Sequence, residues 1–325
     1  MPQLALTLTD SVTQAGDALG PDHPDTLASR NNLAVAYQES GRLNEAITLH
    51  RQTLQDSTRT LGPDHPHTLT SRNNLAHAYQ ESGRLNEAIT LHRQTLQDRA
   101  RSLGPDHPDT LTSRHNLAGA YREAGRLNEA IELFEQILED RTRILSTHHP
   151  DTLTSRNNLA NAYQDAGRID EAITLHEQNL KDLESLLSSG HPYILASRNN
   201  LAGAYQAAGR LDEAITLYEQ TLTDHTRILG PHHPHTLITR NNLASVYKAA
   251  GRLDEAVTLH ERSFEDCIHI LGPGHPHTLT SRNNLASAYR AAGRTEEAEV
   301  LFETPSGSDD EQDRTEDNPD QETGD

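Results

Sequence analysis

The sequence predicts an all-α protein, a right-handed α-α superhelical solenoid of antiparallel helix pairs. Each repeat contains two segments whose apolar residues recur at helical spacing. A helical hairpin of this size cannot bury its apolar face alone, so successive copies must stack to complete a continuous core. The second observation is the dipeptide His-Pro, which recurs every 42 residues without insertion or deletion, at His23, His65, His107, His149, His191, His233 and His275.

The first helix of each repeat, helix A, is predicted to run from Pro24 to about Ser40 in the first copy. Proline suits the first helical position, and Asp25 suits a first turn, where the helix dipole favours an anion. Gly41 follows the last periodic residue and supplies the left-handed cap that ends the helix. The same glycine recurs at Gly83, Gly125, Gly167, Gly209, Gly251 and Gly293.

The second helix, helix B, is predicted to begin at Asn44, because Asn and Asp side chains cap exposed backbone N–H groups. Gly62 and Pro63 are expected to end it. The turn between A and B has two to three residues, which makes the pair antiparallel. Its apolar stripe, at spacings of three and four, consists of Leu43, Ala46, Ile47, His50 and Leu54.

The ends of the chain differ from the repeats. Residues 1–20 are predicted to form a truncated capping helix, a half repeat, because they align with the second half of helix B. Residues 21–304 are predicted to form seven tandem 42-residue units. Residues 305–325 carry nine acidic residues against Arg314 and no large apolar side chain, so we expect a disordered acidic tail.

Composition limits the function. A formal net charge of −20 argues against nucleic acid as a partner, because phosphate binding needs a basic stripe. With the single Cys267 no internal disulfide can form, which suits a reducing compartment. The sequence shows no secretion signal and no stretch of ~18 apolar residues that would span a membrane. These features predict a cytoplasmic protein without membrane contact.

No catalytic motif is present, and we predict neither an enzyme nor a cofactor or metal. The chain lacks GxxxxGK[ST], GxSxG and HExxH, and residues repeated seven times are expected to be scaffold. His232, His233 and His235 could bind a metal weakly, although a role in starting the helix explains them better. One position in helix B alternates between His, Phe and Tyr, which indicates a partly buried flat ring and not a ligand: His50, His92, Phe134, His176, Tyr218, His260 and Phe302.

Five residues of the first repeat carry a family resemblance: Leu33, Ala34, Tyr37, Gly41 and Ala46. They match the Leu, small, Tyr, Gly and Ala positions of the tetratricopeptide repeat, in the 42-residue form typical of kinesin light chains and of many bacterial regulatory proteins. Arg30 departs from the pattern, because shorter family members often carry Trp there. The resemblance implies that the arc of helix A opposite Leu33 lines a concave groove.

A pair of Asn residues lies on this arc, and thirteen of its fourteen positions across the chain hold Asn. Asn is a poor helix former, so its recurrence calls for a reason. A carboxamide offers a donor and an acceptor together, and a row of them can hold the backbone of an extended peptide. In kinesin light chain-like proteins the matching Asn residues contact bound peptide. The alternative is that one Asn of each pair bonds to the adjacent helix, and we expect the second Asn to do so in part.

Divergence between copies points to the same arc. Residues 29–56 and 71–98 differ only at Val35 and His77, a position where unconstrained drift is the alternative explanation. The predicted groove residues are Asn31, Asn32, Val35, Gln38, Glu39, Asn73, Asn74, His77, Gln80, Glu81, His115, Asn116, Arg122, Asn157, Asn158, Asn161, Gln164, Asn199, Asn200, Gln206, Asn241, Asn242, Ser245, Lys248, Asn283, Asn284, Ser287 and Arg290.

The charge of the groove changes along the array. One position is acidic in the first four repeats, at Glu39, Glu81, Glu123 and Asp165, and becomes Ala in the last three. Its neighbour changes from Gln38 and Gln80 to Lys248 and Arg290. Complementary charge would therefore give a bound peptide a preferred direction. A further hypothesis is that the acidic tail competes for the C-terminal end of the groove.

Two non-enzymatic functions remain open. The first is a protein-protein interaction scaffold that binds a peptide segment of a partner and stays a monomer. The second is a sensor or oligomerisation arm derived from a larger signalling ATPase with such repeats, which would associate end to end. The identity of the protein or peptide ligand is not encoded in backbone-binding amides.

Overall fold

The computed structural model describes residues 2–302, with side chains from residue 9 onward except that of residue 11. Fifteen helices and no strand occur within residues 2–302. They are α1 Pro2–Leu19, α2 Pro24–Glu39, α3 Leu43–Leu61, α4 Pro66–Glu81, α5 Leu85–Leu103, α6 Pro108–Glu123, α7 Leu127–Leu145, α8 Pro150–Asp165, α9 Ile169–Leu186, α10 Pro192–Ala207, α11 Leu211–Leu229, α12 Pro234–Ala249, α13 Leu253–Leu271, α14 Pro276–Ala291 and α15 Thr295–Val300. The predicted all-α fold is confirmed.

The His-Pro dipeptide starts helix A. In α2, Pro24 is the first helical residue, and His23 caps the helix by accepting a hydrogen bond on Nδ1 from the backbone N–H of Asp25, at 3.2 Å. The same cap recurs in all seven A helices. Helix-start chemistry, expected for the loop histidines, is therefore their observed role.

Gly41 ends helix A as predicted, with φ of 74°. Its N–H donates to the carbonyl of Gln38 at 2.9 Å, and the N–H of Arg42 donates to that of Tyr37 at 2.8 Å. These two bonds are the Schellman motif, which pairs carbonyls that the helix end would leave free. A residue with a Cβ would be strained at this φ.

The prediction that Asn44 caps helix B is wrong. The cap is Arg42, the helix begins at Leu43, and no side chain bonds to the first N–H groups. The Schellman turn brings the backbone directly from Arg42 into Leu43, which leaves Asn44 inside the first turn. The Arg42 side chain instead bonds to Glu45 at 3.0 Å and lies over the ring of Tyr37, 4.3 Å from its centroid.

The end of helix B has one regular form and two departures. Gly62 takes φ 94° and ψ 161°, and the same conformation recurs in Gly104, Gly230 and Gly272, while Gly20 has a similar φ of 93°. Ser146 adopts it too, at φ 88°. After the fourth repeat α9 ends one residue earlier, and Leu187 is extended with φ −128°.

The core forms between repeats. Ile47 of α3 packs with Leu75, Ala78 and Tyr79 of α4 and with Ala88 of α5, all of them buried. The ring position of helix B is buried in the first six repeats, where its four histidines are 0–1% exposed, so the expectation of partial burial is corrected to full burial there, whereas Phe302 in the seventh repeat is 43% exposed. The four histidines are His50, His92, His176 and His260.

The chain divides into two compact units, one up to Ala208 and one from Gly209. In the first unit each helix from α1 to α10 packs against its neighbours in sequence, and in the second the same holds from α11 to α15. This succession is that of the predicted solenoid, whose right-handed sense stays a prediction. The predicted acidic tail, residues 305–325, lies outside the described residues.

Candidate functional site

The predicted groove residues all lie on A helices, on the face we call the helix A surface. It comprises, in each repeat, the positions of Asn31, Asn32, Val35, Gln38 and Glu39. None of the predicted residues is buried. All are half-buried except six that are exposed: Asn32, Val35, Glu39, Glu81, Asn283 and Arg290.

Successive A helices are joined by amide bonds. In three cases Nδ2 of the second Asn of one repeat donates to Oδ1 of the first Asn of the preceding repeat, at 2.8 Å. The pairs are Asn116 with Asn73, Asn200 with Asn157, and Asn284 with Asn241. The expectation that the second Asn bonds to an adjacent helix is confirmed for these pairs, although its partner, another Asn, was not foreseen.

Each bonded pair keeps free hydrogen-bonding capacity. An amide has two N–H donors and an oxygen with two lone pairs. After one bond, Asn157 retains its N–H groups and Asn200 retains one N–H and its oxygen. The pair is held in place by its mutual bond while it stays half-exposed to solvent. Such a pair can meet both the C=O and the N–H of a peptide backbone.

In the first repeat the surface is connected to the buried ring. His50 Nε2 lies 2.9 Å from Gln38 Oε1, and His50 Nδ1 lies 3.2 Å from Asn31 Oδ1. Burial lowers the pKa of His50 to about 4, so the ring is neutral near pH 7. The Asn31 amide also donates to Ser71 Oγ on the next helix A, at 3.2 Å.

In the first unit, polar side chains at the charged edge of this surface form bonds between successive A helices, which we call rungs. Gln38 donates to Glu81 at 3.0 Å, and Gln80 donates to Glu123 at 3.1 Å. The third rung is the ion pair of Arg122 with Asp165, at 2.8 Å. Three of the four predicted acidic positions, Glu81, Glu123 and Asp165, are therefore already engaged within the protein, and the charge of Asp165 is balanced. In the second unit, Lys248 Nζ donates to Ser287 Oγ at 3.1 Å.

The divergent position of helix A is accessible to different degrees. Val35 is 41% exposed. His77, its counterpart, packs edge-on against His92 with ring centroids 5.1 Å apart. Burial is the main cause that lowers the pKa of His77, and it outweighs the opposite effect of Glu81. His77 therefore offers a largely neutral, flat ring to the surface.

A tyrosine bond that sequence reasoning missed fixes helix A of the second to seventh repeats against the preceding helix B. Arg51 donates to the hydroxyl of Tyr79 at 2.9 Å, and Arg93 donates to that of Tyr121 at 2.8 Å. In later repeats the tyrosine donates instead, to a glutamate at the same helix B position. These pairs are Tyr163 with Glu135, Tyr205 with Glu177, Tyr247 with Glu219, and Tyr289 with Glu261. The signal available in the sequence was that Tyr recurs in every helix A while one position of helix B is always Arg or Glu.

Arg30, the departure from the family pattern, pairs with Asp56 of helix B at 2.7 Å, and both side chains are largely shielded from solvent. Asp56 also contacts Arg59, which reaches Asp22 in the loop before α2 at 2.5 Å. The position that holds Trp in other members is thus an ion pair within the repeat.

In the part of the chain that the structure describes, no three His, Cys, Asp or Glu side chains are grouped to hold a metal ion. His233 and His235, singled out in the sequence, stack with ring centroids 5.3 Å apart, while His233 Nδ1 accepts from the N–H of His235. Among residues 2–302, no helix has the length and apolar character required to span a bilayer.

Comparison with known families gives one match to the whole array. The model described as tetratricopeptide repeat matches overlapping stretches, residues 5–55, 29–99, 73–143, 115–185, 193–265 and 238–304. No curated protein sequence matches this chain.

Solved structures with the same architecture include two similar to kinesin light chains. The nearly identical TPR-like repeats of a putative kinesin light chain from Podosopora anserina are 40% identical, cover 63% of this chain and 97% of their own, and give a TM-score of 0.58. BtubC (BKLC) from P. vanneervenii is 24% identical over 67% of this chain and 88% of its own, with a TM-score of 0.58.

A third structure is a signal transduction ATPase with numerous domains that has a tetratricopeptide repeat sensor, from Pyrococcus horikoshii. It is 14% identical, covers 85% of this chain and 42% of its own, and gives a TM-score of 0.63. At this identity, and at that of BtubC, the likeness shows the fold alone.

Proposed function

Because the chain belongs to the tetratricopeptide repeat family, we propose that it is a non-catalytic scaffold that binds a peptide segment of a partner protein on its helix A surface. Repeats of this family generally mediate interactions between proteins. The observation that carries the proposal is the row of half-buried Asn pairs, which are held by mutual bonds and keep unused donors and acceptors. The proposed setting is the cytoplasm, where a single cysteine stays reduced.

Backbone recognition follows from the chemistry of these pairs. An extended peptide exposes a C=O and an N–H at every residue, and an amide can bond to both. Side chains that are already held in position lose less entropy when the peptide binds. The surface would therefore bind a peptide backbone largely independently of the peptide sequence. Side chains such as Val35 and His77 would favour some peptide sequences over others.

The alternative, an arm derived from a signalling ATPase, rests on a likeness of fold alone. Size measured by sedimentation across protein concentration separates the two ideas. A peptide-binding scaffold should remain a monomer at all concentrations. An assembly arm should associate as the concentration rises.

The test of peptide binding uses a phage-displayed library of random peptides selected against the immobilised protein, followed by titration of the best peptide. Replacement of the four amides of one region by Ala should weaken binding at least tenfold, because each lost hydrogen bond contributes about 0.5–1.5 kcal/mol. The four are Asn157, Asn158, Asn199 and Asn200.

A matched control removes amides from the exposed start of helix B, at Asn86 and Asn128. This variant should bind the peptide as the wild type does. If the variant with all four Asn residues replaced by Ala binds the peptide as tightly as the wild type does, and its helical circular dichroism is unchanged, the helix A surface is not the binding site.

A further inference from the structure

One position of helix B changes its residue type along the array, while the residue directly before it is Asp in each of the first six repeats. We call it the cleft position, because it faces a cleft beside the helix A that follows it. It lies four residues before the end of helix B in α3, α5, α7, α11 and α13, and three residues before the end of the shorter α9. The six residues are Ser57, Arg99, Arg141, Leu183, His225 and Cys267.

Two of these residues fill their cleft with a cation. Arg99 Nη1 donates to Ser113 Oγ at 2.9 Å and to the carbonyl of Asp109 at 3.2 Å, so its guanidinium is anchored to the next helix A. Arg141 makes the same two bonds one repeat later, to Ser155 at 2.9 Å and to the carbonyl of Asp151 at 3.1 Å. His225 also contacts the next helix A, with Nδ1 3.0 Å from Thr239 Oγ1, but burial lowers its pKa, so the ring is largely neutral near pH 7.

A cavity remains where the residue is shorter or apolar. Beside Ser57 the cavity has a volume of about 200 Å³, beside Leu183 about 310 Å³, and beside Cys267 about 370 Å³. In each case the walls include an Asn from each of two successive A helices, so the cavity adjoins the helix A surface.

The cavity beside Leu183 lies between α8, α9 and α10. Its walls are mainly apolar, and two of the side chains that line it are well exposed, Leu186 at 50% and Tyr193 at 61%. Tyr193 stands where all the other repeats have Asp or His, so an aromatic side chain at this rim is particular to the fifth repeat. Asn157 and Asn200 line the same cavity.

Two buried polar atoms on the wall of this cavity have no hydrogen-bond partner. They are Oδ1 of Asn179, a residue 4% exposed, and Oγ of Ser197, a residue 3% exposed. At the position of Asn179 other repeats carry Thr53 and Thr95, whose hydroxyls bond to carbonyls of their own helix at 2.8 and 2.9 Å. An unpaired buried acceptor destabilises the protein unless an occupant supplies a donor.

We propose that this cavity is a socket for an apolar side chain that carries an O–H or N–H donor, and that the residue at the cleft position decides which clefts act as sockets. Arg99 and Arg141 close their clefts, whereas Leu183 leaves its cleft open. That the side chain comes from a bound peptide rests on the proposed function, while the socket itself does not.

The test uses two small probes that differ by one hydroxyl, 4-fluorophenol and fluorobenzene, with affinity measured from the fluorine NMR signal of each. All proteins carry Cys267→Arg, which fills the cleft beside Cys267 as Arg99 fills its own. Into this background we introduce Leu183→Arg, which copies Arg141, or Asn179→Thr, which copies Thr95. Both substitutions use residues that the chain accepts at equivalent positions.

In the background protein 4-fluorophenol should bind about three to ten times more tightly than fluorobenzene, the ratio expected for one hydrogen bond. Leu183→Arg should weaken both probes at least tenfold, and Asn179→Thr should bring the two affinities within about twofold of each other. Equal affinities in the background, or binding unaffected by Leu183→Arg, would overturn the proposal. The probes need no partner, so this outcome is independent of the peptide titration.

Discussion

At the scale of the residue, the ring position of helix B shows how one packing site accepts three side chains. His50, Phe134 and Tyr218 are all buried there, at 0%, 2% and 3% exposure. The site requires a flat ring and does not require a charge. The sequence predicted the ring from the alternation of residue types, but it could not predict full burial, because burial depends on the next repeat.

The first prediction concerns His176, whose two ring nitrogens are buried without hydrogen-bond partners. His176→Phe, which copies Phe134, should raise the free energy of unfolding by about 1–3 kcal/mol, because it removes unpaired polar atoms from the core. Denaturant unfolding followed by circular dichroism measures the change. His50→Phe is the control and should gain less, because His50 bonds to Gln38. Equal gains in both variants would refute the explanation.

The second prediction concerns pH. Burial lowers the pKa of His50, His176 and His260 to about 4 and that of His92 to about 3, whereas an exposed histidine titrates near 6.5. Between pH 6.5 and 4 the unfolded chain therefore binds more protons, and stability is lost as the pH falls through this range. Each pH unit costs up to about 1.4 kcal/mol per histidine.

Thermal unfolding between pH 7.5 and 5 tests this effect before the carboxylates begin to titrate. The midpoint should fall as the pH is lowered. A variant with Tyr, the residue at 218, in place of these four histidines should show a shallower fall. Identical slopes for the two proteins would show that other groups are responsible.

At the scale of the element, local sequence predicted most boundaries. Pro24, Gly41 and Gly62 were correctly assigned to the start of helix A, its end and the end of helix B, because their backbone limits act locally. Asn44 was assigned wrongly, because the Schellman turn after helix A, and not a side chain, determines where helix B begins. The hydrogen bonds between successive A helices, such as that of Asn116 with Asn73, join residues 43 apart. The sequence pattern of a single helix could not predict them.

The third prediction uses Ser146, the one described residue other than glycine with a positive φ. Its φ of 88° and ψ of 162° lie in a region that is open almost only to glycine, at a cost of about 1–3 kcal/mol for other residues. Ser146→Gly should raise the free energy of unfolding by this amount in a denaturant titration. The reciprocal change Gly62→Ser should lower it. An unchanged stability in both would show that the strain is absent.

At the scale of the whole molecule, repetition and divergence carry different information. Residues that recur, such as Leu33 and Ala34, form the core, and from them the sequence predicted the fold and the face of helix A that carries the amides. The cleft position escaped notice, because only a comparison of the six copies at one site, together with the cavities beside Ser57 and Leu183, gives it meaning. Its partners lie on the next repeat, where the pattern of one helix holds no information.

The most direct test of peptide binding on the helix A surface is hydrogen exchange of the protein with and without its selected peptide. Exchange should become slower in A helices such as α8 and α10 when the peptide is bound, because the bound backbone covers their Asn pairs and suppresses local opening. Amide exchange in the intervening helix α9 should change little in the part of the helix that precedes Leu183. Protection confined to B helices, or to the terminal helices α1 and α15, would show that the peptide does not bind on the helix A surface.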